Sequence, residues 1–285
     1  HAMSRRQRQM CIRDRNTSVN QTTQNACRIL DYLNSNVEVA RGAHKPLELS
    51  LKTSKTHGED GIGSPKILPE KFSRVLDERE GSSFIIDNVK NGARTLVATG
   101  PLTNVALAFK KDYETMHKLD EIIIMGGVFE ERGNAGPYAE FNFFTDPHAA
   151  AYVLENTTVP KTMIPLNVTR KVVLNQEHIN TLGNSRPELL TKSILESTLK
   201  QQHSTTGYNG RALHDPIAVG YALNVGVYET TELYVQIEKN GEYTQGMCVV
   251  DKRPFVNTKP NVKVVTNVNA QDFIDSFLKT ISKKQ

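Results

Sequence analysis

Apolar residues along the chain follow two periods. Ala26, Ile29, Leu30 and Leu33 fall at i, i+3, i+4 and i+7, which predicts an amphipathic helix over about 20–34. Short runs, mainly apolar at 95–99 and 122–125 and ending in Met-Ile at 161–164, read as strands, and Val37–Ala40 is a further short strand candidate. Runs of that length without alternation read as strands buried on both faces. Helical patterns separate them, over 82–90, 102–110 and 147–156. Further helices are expected near 175–182, 187–202 and 215–224, with strands near 232–238 and 246–250. Ala270, Phe273, Ile274, Phe277 and Leu278 mark a C-terminal helix. Strands alternating with helices predict an α/β fold, an open, mainly parallel sheet with helices on both faces. The runs at 95–99, 122–125 and 161–164 are expected to be neighbouring parallel strands. No repeat or linker interrupts residues 16–285, which read as a single domain.

In such sheets ligands bind beyond the carboxyl ends of the strands. Thr99, Gly126-Gly127 and residues 133–146 should lie there. Within Gly133-Asn-Ala-Gly-Pro-Tyr-Ala-Glu-Phe-Asn142, Glu140 and Asn142 are two apart, so an extended segment would point them the same way. Polar groups among Phe141, Phe143 and Phe144 are either paired within a loop network or set for a ligand. Asp146-Pro147 and Asp215-Pro216 both carry the signature of a helix start, Asp as cap and Pro in the first turn. His214 beside Asp215 is harder to explain by capping alone, since His titrates near neutral pH and Asp is an oxygen ligand for hard metals. His57 lies in a glycine-containing stretch within residues 41–70, a span long enough for a functional loop, and reads either as a solvated His or as part of a site. Residues 53–63 and 200–212 are expected to border the cleft as mobile lids.

Charge narrows the choice of partners. The chain has 35 Lys and Arg against 31 Asp and Glu, a net charge of +4. Arg5, Arg6, Arg8, Arg13 and Arg15, set against Asp14, account for all of it, so the rest of the chain is balanced. A basic face for nucleic acid is therefore not expected. His1-Ala2-Met3 reads as a tag remnant, and residues 1–15 as a foreign or unstructured basic head. No run of apolar residues is long enough to span a membrane. Cys11, Cys27 and Cys248 have the spacing of neither a zinc site nor a disulfide framework, and a reducing cytoplasmic setting is expected. No G-x-G-x-x-G, Walker A, G-x-S-x-G or H-E-x-x-H is present, which argues against dinucleotide-dependent and several hydrolytic chemistries.

Taken together, the segments resemble the inosine–uridine-preferring nucleoside hydrolases, the nucleoside N-ribohydrolases, over about residues 16–280. The segments are Asn16-Thr-Ser-Val-Asn-Gln-Thr-Thr-Gln-Asn25-Ala, His57-Gly-Glu-Asp-Gly61, Ala98-Thr-Gly-Pro-Leu-Thr-Asn104, Met125-Gly-Gly127, Gly133-Asn134 with Ala139-Glu-Phe-Asn142, and Leu213-His-Asp-Pro216. They stand in the family's order. The resemblance implies hydrolysis of the N-glycosidic bond of ribonucleosides through a water bound to Ca²⁺. It implies that the Thr99 carbonyl and the Asp215 carboxylate ligate that ion. Asn16, Asn134, Glu140 and Asn142 would hold the ribose hydroxyls, with Met125 against the sugar. His57 would lie near the base or the 5′ end, and His214 would protonate or hydrogen-bond the leaving base. The resemblance also implies a homo-oligomer, a dimer or tetramer, and a small-molecule nucleoside partner.

One departure is large. The family's first strand ends in D-x-D-P-G-x-D-D-A, whose aspartates ligate the ion and supply the general base. The chain contains no such run, and Asp14, between Arg13 and Arg15, is the only acidic residue before Asn16. The family's βαβ start is read as missing or replaced by the basic head. Impaired hydrolysis is therefore expected, with an inactive remnant that keeps weak nucleoside binding or an assembly role as the alternative.

Overall fold

The structure, a computed structural model, describes residues 18–50, 60–63, 65–206, 210–253 and 258–283. In chain order its first half holds α1 (Val19–Tyr32), β1 (Ala40–Arg41), β2 (Asp77–Glu80), α2 (Gly81–Lys90), β3 (Thr95–Ala98), α3 (Thr103–Lys111), α4 (Tyr113–Met116), β4 (Glu121–Met125), α5 (Phe141–Thr145) and α6 (Pro147–Asn156). Then follow β5 (Lys161–Ile164), α7 (Leu166–Thr169), β6 (Val173–Leu174), α8 (Gln176–Thr181), α9 (Arg186–Thr206), β7 (Arg211–Ala212) and α10 (His214–Ala222). The last elements are β8 (Tyr228–Leu233), β9 (Gln236–Ile237), β10 (Cys248–Val249), β11 (Val262–Val268) and α11 (Ala270–Ile281).

The main sheet runs β3-β4-β5-β11-β8, parallel through β11 and antiparallel between β11 and β8. The three apolar runs are the expected parallel neighbours, with Leu96 opposite Ile122 and Ile123 opposite Thr162. Their apolar side chains divide between two cores. Ile122, Ile124, Met163 and Val264 point to one core with α2, α3 and α6. Ile123, Ile164, Val265 and Val268 point to the other with α7, α8, α10 and α11. Successive strand side chains alternate faces, so a strand between two helical layers favours apolar residues on both, as Ile122, Ile123, Ile124 and Met125 of β4 show, while Lys161 and Thr162 of β5 are buried with hydrogen-bond partners. β8 closes the sheet as an exposed antiparallel edge carrying Glu229, Thr230, Thr231 and Glu232, and such polar edges resist further strand addition. A small third core joins Ala26, Cys27 and Leu30 of α1 to Val39. Cys27 and Cys248 are free and buried, and burial raises both thiols, Cys248 to about 12, so both stay protonated.

The structure corrects several expectations. β11 lies between β5 and β8 and was not anticipated. The strand expected at 232–238 divides into β8 and β9, and that at Val37–Ala40 shrinks to Ala40–Arg41. Asp215 does not cap α10: the helix begins at His214 with Leu213 as cap, and Asp215 is an exposed first-turn residue. Pro216 then sits in a first turn, where its missing N–H has no intrahelical acceptor to lose. Asp146 does cap α6 as expected, its Oδ1 accepting from Ala149 N at 3.1 Å with Pro147 in the first turn.

Lys161 opens β5 and is buried, its Nζ donating to the carbonyls of Thr157 at 2.6 Å and Val159 at 3.2 Å. Burial lowers its pKa to about 8. Between that value and the unfolded value of about 10.4 the unfolded chain binds the extra proton, so stability rises with pH across the window. Urea unfolding from about pH 8 to 10 is expected to show that rise, and Lys161→Met to flatten it.

Candidate active site

The carboxyl ends of β3 and β4 are shaped by Gly126 and Gly127. A Cβ on Gly126 would lie 2.4 Å from the Phe143 ring, and one on Gly127, at φ +79°, 2.7 Å from Cys248 Sγ. The two glycines let the buried Phe143 ring lie directly on the end of β4. Phe143 belongs to α5, so this contact seats the segment holding Glu140 and Asn142. Gly126→Ala is expected to cost about 1–3 kcal/mol through overpacking, read as a lower urea midpoint.

Glu140 and Asn142 do not lie on one extended segment. Glu140 is the cap of the five-residue α5, and Asn142 is in its first turn. The Glu140 carboxylate, 2% exposed, accepts from Gly127 N at 3.2 Å, Asn142 N at 2.9 Å and Phe143 N at 3.2 Å. It thereby ties the end of β4 to the start of α5. Asn142 Nδ2 donates to the carbonyls of Thr99 at 3.2 Å and Met125 at 3.0 Å, joining the ends of β3 and β4. With Nδ2 engaged, Oδ1 is the end of Asn142 that can receive a ligand hydroxyl. Asn134 accepts through Oδ1 from Phe141 N at 2.8 Å. Its loop is held by Arg170, which donates to the carbonyls of Arg132 at 2.5 Å and Gly133 at 2.9 Å.

Thr99, Met125, Asn134, Glu140, Asn142, His214 and Asp215 all line one cleft of about 410 Å³. Every described residue of the expected site is therefore brought together. Asn16 and His57 lie outside the described residues. The expected borders are represented by Gly61 and Ile62 on one side and Arg211 and Ala212 on the other, while 53–59 and 207–209 lie outside the described residues. Asn25 of α1 holds the first border, donating through Nδ2 to the Asp60 carbonyl at 2.7 Å. The sequence reading missed the apolar wall formed by Ile62, Ile194, Leu195 and Phe277. Leu195 and Phe277 fall on amphipathic helices, where a cleft-facing residue has the same spacing as a core residue. Arg211 was also missed, although it stands three residues before His214.

A larger cavity, about 810 Å³, lies between the 41–47 loop and the starts of α2 and α3. None of the expected site residues lines it. Two ion pairs lie on its rim, Arg79 with Asp77 and Lys111 with Glu80.

A calcium ion takes about six to eight oxygen ligands. Of the oxygen donors that line the cleft, the two that the resemblance assigns to that ion are the Thr99 carbonyl, which also accepts from Asn142 Nδ2, and the Asp215 carboxylate. Among the described residues, no group of three or more His, Cys, Asp or Glu side chains could hold a metal. The described donor set alone does not fit the ion.

A parallel sheet with a polar cleft at its strand ends, walled by apolar side chains and edged by a histidine, defines an α/β enzyme for a small polar substrate with an apolar part. The family model for inosine-uridine preferring nucleoside hydrolase matches residues 11–275. The chain is 33% identical over 275 residues to the pyrimidine-specific ribonucleoside hydrolase RihA of Enterobacter sp. (strain 638), covering 94% of this chain and 87% of that protein. Among solved structures it is similar to a purine-preferring ribonucleoside hydrolase from Gardnerella vaginalis, with TM-score 0.84, 28% identity and coverage of 94% and 87%. It is also similar to the plant nucleoside hydrolase PpNRh1, with TM-score 0.82, 25% identity and coverage of 94% and 88%. The chain belongs to the inosine-uridine preferring nucleoside hydrolase family. Among the described residues, no helix is long and apolar enough to cross a membrane.

Proposed function

We propose that this chain takes a ribonucleoside into the 410 Å³ cleft and hydrolyses its N-glycosidic bond to ribose and free base, with weak turnover and weak Ca²⁺ binding. The observation that carries this reading is the convergence of seven expected residues, from four separate segments of sequence, on one cleft at the strand ends. Breaking the bond builds positive charge on the ribose and negative charge on the base. Fixed carboxylate and amide dipoles stabilise the first, and a hydrogen-bond donor at the base stabilises the second. In this reading Asn134, Glu140 and Asn142 hold the ribose hydroxyls, Met125 packs on the sugar, and His214 faces the base. Asn16 and His57 join them at the ribose and at the base or 5′ end. Among the described residues, any Ca²⁺ would be held by the Thr99 carbonyl and Asp215, by themselves too few for tight binding.

The metal-poor donor set among the described residues favours a second reading, a non-enzymatic chain that keeps only nucleoside or ribose binding. Ribose release from inosine and uridine with Ca²⁺ present separates the two. Release above background that disappears in His214→Ala supports the hydrolase. Nucleoside binding without release moves the assignment to the second reading, and neither binding nor release defeats both.

A further inference from the structure

His214 is gripped by a residue that no motif singled out. Thr169, the last residue of α7, is 0% exposed, and its Oγ1 lies 2.7 Å from His214 Nδ1. Its backbone N–H donates to the Pro165 carbonyl at 3.2 Å, so the side chain projects from a fixed turn. Among the described residues, His214 Nδ1 is the single hydrogen-bond partner of this hydroxyl. A buried hydroxyl has one proton to donate, and leaving that donor unmade is more costly than leaving an oxygen lone pair unused. The arrangement that satisfies it has Thr169 donating and Nδ1 accepting. Nδ1 then carries no proton, and the ring proton resides on Nε2.

We infer that Thr169 is a positioning residue that holds His214 in the Nε2–H tautomer and aims that N–H at the leaving base. This rests on the hydrolase reading and sharpens it. Between protonating and hydrogen-bonding the base, it selects hydrogen bonding. The C1′–N bond breaks with its electron pair going to the base, and the Nε2–H stabilises the charge that gathers there without leaving the ring. The base takes its proton from one water, the oxygen of a second water bonds to C1′, and the proton that second water sheds neutralises the hydroxide left by the first, so one water is consumed in all. A neutral imidazole acting as an electrophilic donor has precedent in enzymes that stabilise developing oxyanions. The hydroxyl also prevents the ring from flipping, because a flipped ring would place a carbon against Oγ1.

The first test needs no turnover. In protein labelled with ¹⁵N in its imidazoles, long-range ¹H–¹⁵N correlation at alkaline pH reports which ring nitrogen is protonated, and His214→Gln identifies the His214 signals. The expected result is an unprotonated, hydrogen-bonded Nδ1 in the wild type and in Thr169→Ser. In Thr169→Val, which keeps the shape and loses the hydroxyl, the Nδ1 signal should move by several ppm, on the order expected when an acceptor loses its hydrogen bond. A protonated Nδ1 in the wild type overturns the inference, as does an Nδ1 signal unmoved by Thr169→Val.

The second test is kinetic. Thr169→Val should lower kcat for inosine and uridine about 10-fold, a fraction of the roughly 10²–10³ seen when an electrostatic donor is removed outright. KM should change by less than about twofold. Thr169→Ser should restore the rate. With p-nitrophenyl riboside, whose leaving group needs no donor, Thr169→Val should match the wild type. An equal loss on both substrates means a structural role and overturns the inference. A wild type inactive on every substrate defeats the hydrolase reading while the tautomer measurement still decides the Thr169 contact.

Discussion

Ribose release from inosine and uridine is expected to run at least about 10²–10⁴-fold below that of a relative carrying D-x-D-P-G-x-D-D-A, the range for loss of a general base. By the resemblance, that motif would supply both the base for the attacking water and most of the negative charge around a Ca²⁺ ion. The sequence contains no such run, and of the ligands that the resemblance implies, Thr99 and Asp215 are the two that line the described cleft. Weak ion binding would add to the deficit, although groups acting as a unit do not contribute additively. Calorimetric titration with Ca²⁺ should accordingly show weak binding that Asp215→Asn reduces further. Turnover equal to that of the motif-bearing relative would require another base, such as Asp14 or a group from a second chain. It would also overturn the weak-hydrolase reading.

Asp146→Ala is expected to destabilise the fold by about 2–4 kcal/mol, measured as a fall in the urea midpoint. The carboxylate is 0% exposed and serves three elements. Oδ1 caps α6 at Ala149 N, 3.1 Å away, and Oδ2 accepts from Leu47 N at 3.0 Å and from the Thr103 hydroxyl of α3. Losing a cap costs about 0.5–2 kcal/mol. Each buried donor left without an acceptor adds about 1–3 kcal/mol, reduced where water or a neighbour moves in. Asp146→Asn keeps one acceptor oxygen and should recover part of the loss. An Ala variant as stable as the wild type would mean that Leu47 N and Thr103 find other acceptors.

The sheet core was legible because β4 is an apolar run buried on both faces and β3 and β5 are short runs with apolar residues on both faces or at their ends, each set between helices. β11 was not legible. Lys263, Thr266 and Asn267 break its apolar run without giving strict alternation, and its position in the sheet depends on partners far away in sequence. The cleft residues could be read because they cluster in short segments at strand ends. Their local conformation could not. A five-residue helix such as α5 leaves no periodic trace, and the Glu140 cap shows only once the backbone N–H groups of 142 and 143 point back at it. Asp215-Pro216 has the letters of a cap, yet α10 starts two residues before Pro216 because the chain enters from β7. Thr169 stands 45 residues from His214, and nothing local announces a contact at that separation.

The position of β11 also bears on synthesis. Of the five strands in the main sheet it is the last in chain order, yet it lies between β5 and β8. While the chain emerges from the ribosome, β3, β4 and β5 can pair, but one edge of β5 stays open and β8 has no sheet to join. That edge is continuously buried in the finished protein, so during translation it is a sticky, unpaired strand. The sheet closes only after residues 262–268 have left the exit tunnel, and until then this face of the nascent chain is a natural client for a chaperone.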